Sequence, residues 1–441
     1  VFTGRSVWNS GKVNSSQSQL VSIEGADIRS GNLLNYIWRV RVWDESGSPS
    51  QWSSDAKFRS VPDCFSSRKW IGAITRQDAH LPEGRKFHGG ELKKPEVKAA
   101  WEAVDTLAKK SIYLRKTFEL GDIKGGSAGR KTSKRIVEAT AYVCGLGFYE
   151  FSLNGKKVGD SEFAPLWSDY DKSVYYNTYD VTELLQNGEN AVGVLLGNGF
   201  YNVQGGRYRK LQISFGPPTL LFELVVNYED GTHTVIHSDN GWKYDLSPIT
   251  FNCIYGGEDY DARGEQKGWN QVGFDDSDWR PVVVQEAPKG ILRPQMARPV
   301  KIMERHNIQK VTKLNDEQVA LASKSTKRVV APSALVLDMG QNLAGFPEIT
   351  VRGKRGQKVT LIVAEALTEE GACNQRQTGR QHYYEYTLKG DLASSFLLLW
   401  FQIYSGGRCC LERTEESASI AGIEKHSVLF RLQFGKESFY I

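Results

Sequence analysis

Short segments in which apolar and polar residues alternate recur along the whole chain, and turn residues follow them. The first runs from Tyr36 to Trp43 and is followed by Asp44-Glu-Ser-Gly47; others span residues 142–153, 220–228 and 359–364. Alternation with a period of two predicts half-buried strands, and regular turns between short strands are typical of β-sandwiches. We therefore predict an all-β protein made of tandem β-sandwich domains.

Helical patterns are scarce. The best candidate is the segment 181–188, where Asp180 or Thr182 can cap the first turn and Gly188 can end the helix. Residues 76–110 are weakly patterned, so we interpret them as a surface insertion or linker, and we interpret the basic stretch 124–135 as a flexible, solvated insertion in preference to a binding patch. A second candidate helix lies in the first of them, near residues 101–108.

Length and charge restrict the class of protein further. A chain of 441 residues predicts about three domains at roughly 150 residues each. Its 56 basic and 51 acidic residues leave a net charge of +5, which argues against a nucleic-acid partner. The longest apolar run, Phe396 to Phe401, is far shorter than the ~20 residues of a membrane helix. Six cysteines without a Cys-x-x-Cys pair predict neither structural zinc nor a disulfide scaffold.

Three groups of motifs resemble one family, the bacterial α-L-rhamnosidases of glycoside hydrolase family 78. The Trp-rich segments 7–13, 36–44 and 50–53 resemble its fibronectin-III-like N-terminal module. The second group resembles its jelly-roll module, and its members are 112–118, 158–165, 179–185, 195–201, 257–263 and 274–279. The third group resembles the β-sandwich before its catalytic barrel and consists of 337–345, 353–356, 365–371 and 386–390.

The resemblance predicts a domain order. We place a fibronectin-III-like sandwich at residues 1–62, a jelly roll at 66–290 with the insertions 76–110 and 124–135, and a second sandwich at 295–390. An aberrant C-terminal tail takes up the last stretch, 391–441.

The family also implies an activity. Its members remove terminal α-L-rhamnose from glycans by inversion, with carboxyl groups held in an (α/α)₆ barrel that no part of this chain is patterned to form. We therefore expect no catalytic residues in residues 1–441 and an inactive chain, with a rhamnose-containing glycan as the partner of the full-length parent. Family resemblance favours a periplasmic or extracellular location. The alternative is a stand-alone carbohydrate-binding or scaffolding module.

The tail departs from the family. Where a strand with an aromatic-Gly-Phe-Arg-Tyr motif is expected, the chain has a Leu-, Ser- and Cys-rich stretch from residue 396 onwards. A back-translation from Leu398, read one base later, encodes Tyr-Tyr-Gly-Phe-Arg-Tyr-Ile-Gln-Val-Glu-Gly. Our hypothesis is that residues 391–441 arise from a frameshift and lack the partners of a native strand.

The densest acidic group is Glu258, Asp259 and Asp261, beside Arg263. On a strand, Asp259 and Asp261 share one face and Glu258 takes the other. The group is either satisfied structurally by Arg263 and backbone N–H groups or forms a site for a cation or a sugar hydroxyl. No cofactor is required by this interpretation, and calcium is the one candidate metal.

Sugar binding is predicted on rim loops of the jelly roll. Trp167, Asp169, Asn198 and Tyr201 combine aromatic rings with short polar side chains next to turn residues. The alternative is that Trp167 and Phe200 pack at a sheet corner and that Asn198-Gly199 is only a turn.

Overall fold

A computed structural model describes most of the chain. The described residues are 6–17, 21–23, 25, 35–59, 69–82, 87–121, 134–207, 211–330, 334–351, 353–376, 381–390, 394–397, 404–413 and 427–428. They divide into two compact units, Val1–Arg68 and Lys69–Ile441.

The first unit contains an antiparallel hairpin of β1 (Asn35–Trp38) and β2 (Ala56–Arg59). Tyr36 lies opposite Phe58, and the two rings stack with centroids 5.1 Å apart. Beyond the hairpin, the guanidinium of Arg41 lies between the rings of Trp43 and Trp52, at 4.9 and 4.6 Å. Alternation along this segment therefore puts apolar side chains on one face and a cation–π ladder on the other.

The second unit is also built of strands, with two α-helices among its described residues, α1 (Pro95–Glu102) and α2 (Asp316–Thr326). Its first strands are β3 (Trp70–Gly72), β4 (Phe87–His88), β5 (Ile112–Leu120), β6 (Ile136–Leu146), β7 (Tyr149–Leu153), β8 (Lys156–Lys157), β9 (Ser173–Asp180), β10 (Gly188–Leu196), β11 (Asn202–Val203), β12 (Leu211–Ser214), β13 (Thr219–Tyr228), β14 (His233–His237) and β15 (Lys243–Leu246). They are followed by β16 (Ile249–Cys253), β17 (Gly257–Asp261), β18 (Arg280–Pro281), β19 (Val283–Gln285), β20 (Ile291–Pro294), β21 (His306–Asn307), β22 (Lys310–Lys313), β23 (Leu335–Gly345), β24 (Glu348–Val351), β25 (Lys358–Ala364), β26 (Ala366–Leu367), β27 (Cys373–Asn374), β28 (Tyr383–Thr387), β29 (Ser394–Leu397), β30 (Tyr404–Arg413) and β31 (Ser427–Val428).

Two sheets form the jelly roll. One has the order β18-β15-β5-β10-β7-β8, and the other has the order β19-β3-β13-β6-β9-β20 with β14 paired to β13. The largest core cluster draws on both sheets and includes Leu114, Phe151, Val194 and Phe222, each at most 1% exposed. The predicted all-β fold is confirmed, because the packed layers are sheets.

The second sandwich contains a seven-stranded sheet in the order β16-β17-β28-β25-β30-β23-β22. In this sheet β17 runs parallel to β28, with Asp259 opposite Glu385 and Glu258 opposite Tyr384. The hairpin of β16 and β17 therefore belongs to the sheet of the second sandwich, although it precedes the predicted boundary at 290–295 in the chain.

The predicted helix at 181–188 is wrong in extent. The segment forms one 3₁₀ turn, Thr182–Leu184, because Val181 is buried and its N–H donates to the Ala139 carbonyl of β6 at 3.0 Å. The Asp180 carboxylate accepts from the Thr182 N–H at 3.0 Å, but the N-cap position is Val181, which has no side-chain cap, so the cap predicted at Asp180 or Thr182 is wrong.

The predicted insertions differ from each other. In the first, α1 and a 3₁₀ turn, Thr106–Lys109, enclose a small apolar cluster that includes Leu81, Val97 and Trp101. This part of residues 76–110 is therefore packed and not merely a linker. Most of the insertion predicted at 124–135 lies outside the described residues.

The tail is partly described. Its strand β30 pairs antiparallel with β23 on one side and with β25 on the other, so it lies inside the sheet of the second sandwich. Our expectation that the tail lacks strand partners is therefore wrong for all of its described strands, since β29 also pairs with β24 and β31 pairs with β21. Neither α-helix in the described part of the chain is long and apolar enough to span a membrane.

Candidate functional site

Three aromatic side chains from separate loops form a cluster at the jelly-roll surface. The Trp167 ring is 55% exposed and lies 5.4 Å from the ring of Phe200. Phe200 in turn lies 6.3 Å from Tyr255 in an edge-to-face arrangement, and both are half-buried. We call Trp167, Phe200 and Tyr255 the aromatic rim. An exposed indole beside a fixed phenyl ring offers the apolar surface against which a sugar ring packs.

Local hydrogen bonds hold the loops of the rim. The Leu166 N–H, next to Trp167, donates to the side-chain oxygen of Gln295 at 2.9 Å. Gly199 precedes Phe200 with a positive φ of 51°, and a Cβ there would lie 2.8 Å from the Phe148 backbone nitrogen. Only glycine therefore allows the chain to turn so closely at this point.

A row of rings connects the rim to the second sandwich. Phe200 packs on Phe148 at 5.9 Å, Phe148 on Phe163 at 5.6 Å, and Phe163 on Phe346 at 6.1 Å. Phe346 lies between β23 and β24. The rim is therefore supported from below by a buried apolar cluster and is not a set of isolated surface residues.

Asp169 is accessible and caps a turn. Its carboxylate forms an ion pair with Lys172 at 2.9 Å, and its side chain is 53% exposed. The Asp169 carbonyl accepts from the N–H groups of Lys172 and Ser173 at 2.8 and 2.7 Å. The other carboxylate oxygen accepts from the Asp171 N–H at 3.3 Å, so both oxygens of this exposed side chain, two residues from Trp167, have partners.

Asn198 is fully buried and lies at the centre of a hydrogen-bond network. Its side-chain NH₂ donates to the Lys109 carbonyl at 2.8 Å and to the Asn252 side-chain oxygen at 2.9 Å. Its side-chain oxygen accepts from Asn202 at 2.8 Å. The side-chain amide of Asn198 is therefore used in hydrogen bonds within the protein. These bonds favour the alternative in which Asn198-Gly199 is a structural turn.

Tyr201 is also enclosed, at 6% exposure. Its ring packs edge-on against Tyr170 at 5.1 Å and nearly parallel to Phe215 at 5.9 Å. Burial raises the pKa of the Tyr201 hydroxyl above its ordinary value. Of the four residues predicted to contact sugar, the structure leaves Trp167 and Asp169 accessible and buries Asn198 and Tyr201.

The acidic group on β17 separates into different environments. Glu258 is 2% exposed and lies on one face of the strand, while Asp259 and Asp261 lie on the other. Asp261 accepts two hydrogen bonds from the Arg263 guanidinium, at 2.8 and 2.6 Å, which lower the pKa of its carboxyl. The three predicted ligands therefore do not converge on one point.

Asp259 is held by an arginine from a different loop. Arg207 donates to the Asp259 carboxylate and, at 3.0 Å, to the Tyr383 carbonyl. The same guanidinium lies over the rings of Phe251 and Tyr383, at 4.2 and 3.6 Å. Burial raises the pKa of Asp259, and Arg207 opposes that shift. Within the described ranges, no three His, Cys, Asp or Glu side chains form a group that could hold a metal ion.

Two residues of this region are not predicted from the sequence: Tyr255 in the rim and Arg207, the partner of Asp259. Phe200 is readable from the sequence, because it stands in the Leu-Gly-Asn-Gly-Phe-Tyr string and follows a turn glycine. Tyr255 and Arg207 carry no local signal, since only the fold brings them to Phe200 and Asp259.

Comparisons with known proteins agree with this architecture. The model of the alpha-L-rhamnosidase N-terminal domain matches residues 134–304, and that of the bacterial alpha-L-rhamnosidase concanavalin-like domain matches residues 328–401. The model of the Rha78A-like N-terminal immunoglobulin domain matches residues 2–61. The chain is therefore a set of β-domains of the modular glycoside hydrolases.

Individual relatives narrow the class to one family. An alpha-L-rhamnosidase of Formosa agariphila is 34% identical over 402 residues, which are 88% of this chain and 38% of that protein. One from an Alteromonas species is 32% identical over 83% of this chain and 35% of its own length. The structure of alpha-L-rhamnosidase from Dictyoglumus thermophilum superposes with a TM-score of 0.73 at 27% identity, over 97% of this chain and 42% of that one. The chain belongs to the bacterial α-L-rhamnosidases of glycoside hydrolase family 78, whose N-terminal β-domains it carries, and spans well under half the length of these relatives.

Proposed function

We propose that this chain is the non-catalytic N-terminal portion of an enzyme that removes terminal α-L-rhamnose from a glycan by inversion. The observation that supports the proposal is the match of 402 residues to an alpha-L-rhamnosidase of which this chain spans only 38%. Inverting hydrolysis needs a protonated carboxyl and a carboxylate about 6.5–9.5 Å apart, with a water between them. The acidic group on β17 does not supply that pair, since Asp259 and Asp261 each bind an arginine.

An activity assay tests this proposal. Purified residues 1–441 should release no nitrophenol from nitrophenyl α-L-rhamnoside above the rate of a buffer control. Turnover on the order of 1 per second or more, which is ordinary for an enzyme, would contradict it. An Asp259→Asn variant is the control. Activity that arises at β17 should decrease in this variant, whereas activity from a contaminating hydrolase should not change.

The exposed aromatic rim favours a second role, binding of the glycan. We propose that Trp167 stacks on a rhamnose ring and that Asp169 accepts from its hydroxyls. A shallow site with so few contacts holds a monosaccharide in the millimolar range, about 4 kcal/mol of binding free energy. Calcium as a bridging cation and a periplasmic or extracellular location are further parts of this proposal.

Calorimetry with L-rhamnose tests the binding role. Binding should be lost in Trp167→Ala and weakened in Asp169→Ala, while Lys172→Ala, which alters the same turn without removing ring or carboxylate, should retain it. If the heat of rhamnose binding disappears when a chelator removes calcium, the result would support a bridging calcium ion. No heat with or without calcium would remove the binding role and leave the first proposal intact.

A further inference from the structure

The chain contains four Asn-Gly steps, and the structure gives their side chains different surroundings. They are Asn154-Gly155, Asn187-Gly188, Asn198-Gly199 and Asn240-Gly241. In such a step the backbone nitrogen of the glycine can attack the side-chain carbonyl carbon of the asparagine, because glycine carries no side chain that shields the attacking atom. Reaction requires the asparagine side chain to rotate towards that nitrogen, so hydrogen bonds that fix the side chain oppose it.

The step at Asn154 is held by three hydrogen bonds. Its side-chain NH₂ donates to the Leu184 carbonyl at 2.9 Å and to the Asn190 side-chain oxygen at 2.8 Å. Its side-chain oxygen accepts from the Ala191 N–H at 2.8 Å. Rotation of this side chain would break all three bonds in a half-buried site, which protects the step.

The next two steps differ from each other. Asn198 is fully buried, and its amide binds the Lys109 carbonyl and Asn202. The Asn187 side chain packs against Gly121 so closely that a Cβ on Gly121 would lie 2.5 Å from the Asn187 oxygen. The side chain of Asn198 is therefore fixed by its hydrogen bonds, while that of Asn187 lies at the surface beside Gly121.

Asn240 differs in the charged groups that surround it. It lies exposed in the turn between β14 and β15. Its side-chain oxygen accepts from the ammonium of Lys69 at 3.4 Å, and the Gly241 N–H donates to the Asp239 carboxylate at 2.8 Å. A cation therefore lies where negative charge develops on the carbonyl oxygen, and a carboxylate lies where the proton of the attacking nitrogen must go.

We propose that Asn240 is a site of spontaneous deamidation. The Gly241 nitrogen forms a bond to the Asn240 side-chain carbonyl carbon, and its proton passes through Asp239 to the leaving group. The bond from that carbon to the side-chain nitrogen breaks, ammonia departs, and a cyclic imide remains. Water then opens the imide to aspartate or isoaspartate. The product adds a negative charge beside the ion pair of Lys116 and Asp239, whose atoms are 2.6 Å apart.

Peptide mapping by mass spectrometry tests the proposal. The full chain is incubated at pH 8, and conversion of amide to acid is followed at all four steps. Asn240 should convert first, while Asn154 and Asn198 stay intact for as long as the protein is folded. In denaturant the four steps should convert at similar rates, because the structural restraints are then absent. Conversion of any other step as fast as Asn240 in the folded protein would overturn the proposal.

A variant separates the local catalysis from simple exposure. Lys69→Gln should slow conversion at Asn240 by about threefold to tenfold, the loss expected for one hydrogen bond that strengthens in the transition state. Asn240→Gln is the control and should yield no acid at this step. An unchanged rate in Lys69→Gln would contradict the assigned role of the cation.

Discussion

Glu150 shows how burial changes the chemistry of a single residue in the jelly roll. Its side chain is 21% exposed and lies 3.2 Å from the ammonium of Lys157, which also binds Glu162 at 2.9 Å. Burial raises the pKa of Glu150 to about 7, although the ion pair with Lys157 opposes the shift. The folded protein therefore holds the proton on Glu150 more tightly than the unfolded chain does.

This shift predicts a pH-dependent effect of Glu150→Gln. Since the folded pKa lies above the unfolded one, the stability that Glu150 contributes is full below about pH 4.5 and is lost as the pH rises through about 7. The neutral amide avoids that loss, so the variant should be more stable than wild type by about 1–3 kcal/mol at pH 8, with little gain at pH 5. Urea unfolding at both pH values measures this, and an equal gain at both would contradict it.

Truncation to alanine should lower the free energy of unfolding much more at Asn198 than at Trp167. Asn198→Ala removes three bonds from a buried network and should lower the free energy of unfolding by about 2–3 kcal/mol. Trp167→Ala removes a half-exposed ring that packs on Phe200 and should lower it by about 1 kcal/mol. Chemical unfolding of both variants decides this, and a stable Asn198→Ala variant would return Asn198 to the candidate sugar contacts.

At the scale of elements, local chemistry predicted the strands better than the helices. An Asn-Gly pair after the predicted strand 142–153 is typical of a tight hairpin, and Asn154-Gly155 joins β7 to β8 with φ of 50° and 80°. The missed helix α2 had a readable signal, since Asn315 and Gln318 form a capping box at its start. The parallel pairing of β17 with β28 had none, because it joins residues more than a hundred positions apart.

The position of β30 predicts the effect of restoring the other reading frame. This strand lies between β23 and β25, yet it begins with Tyr404-Ser-Gly-Gly407, which is poor in strand-forming residues. The alternative frame supplies Ile-Gln-Val-Glu at those positions. A chain with that frame from Leu398 onwards should unfold at a higher denaturant concentration than the present chain. A chain with residues 398–413 replaced by a Gly-Ser linker is the control, and its midpoint should not increase. Equal midpoints would contradict the frameshift hypothesis.

At the scale of the whole second unit, the jelly roll and the second sandwich share structural elements. The hairpin of β16 and β17 leaves the jelly roll and extends the sheet that contains β28. Arg207 lies in a loop of the jelly roll between β11 and β12. It connects this loop to the second sheet by binding Asp259 of β17 and the Tyr383 carbonyl of β28. A shared sheet and a part-buried ion pair couple the folding of the two sandwiches, so residues 69–441 should unfold in one cooperative transition.

Calorimetry of Arg207 variants tests this coupling. Arg207→Ala leaves Asp259 without its cation in a mostly buried position and should cost about 3 kcal/mol, with a lower and broader transition. Arg207→Lys retains the charge but loses both the flat stacking on Tyr383 and the two-pronged donation, so it should recover only part of the loss. Lys172→Ala, which removes an exposed ion pair, is the matched control and should change little. Two well-separated transitions for residues 69–441 of the wild-type chain would show that the sandwiches fold independently, and then Arg207→Ala should shift only one of them.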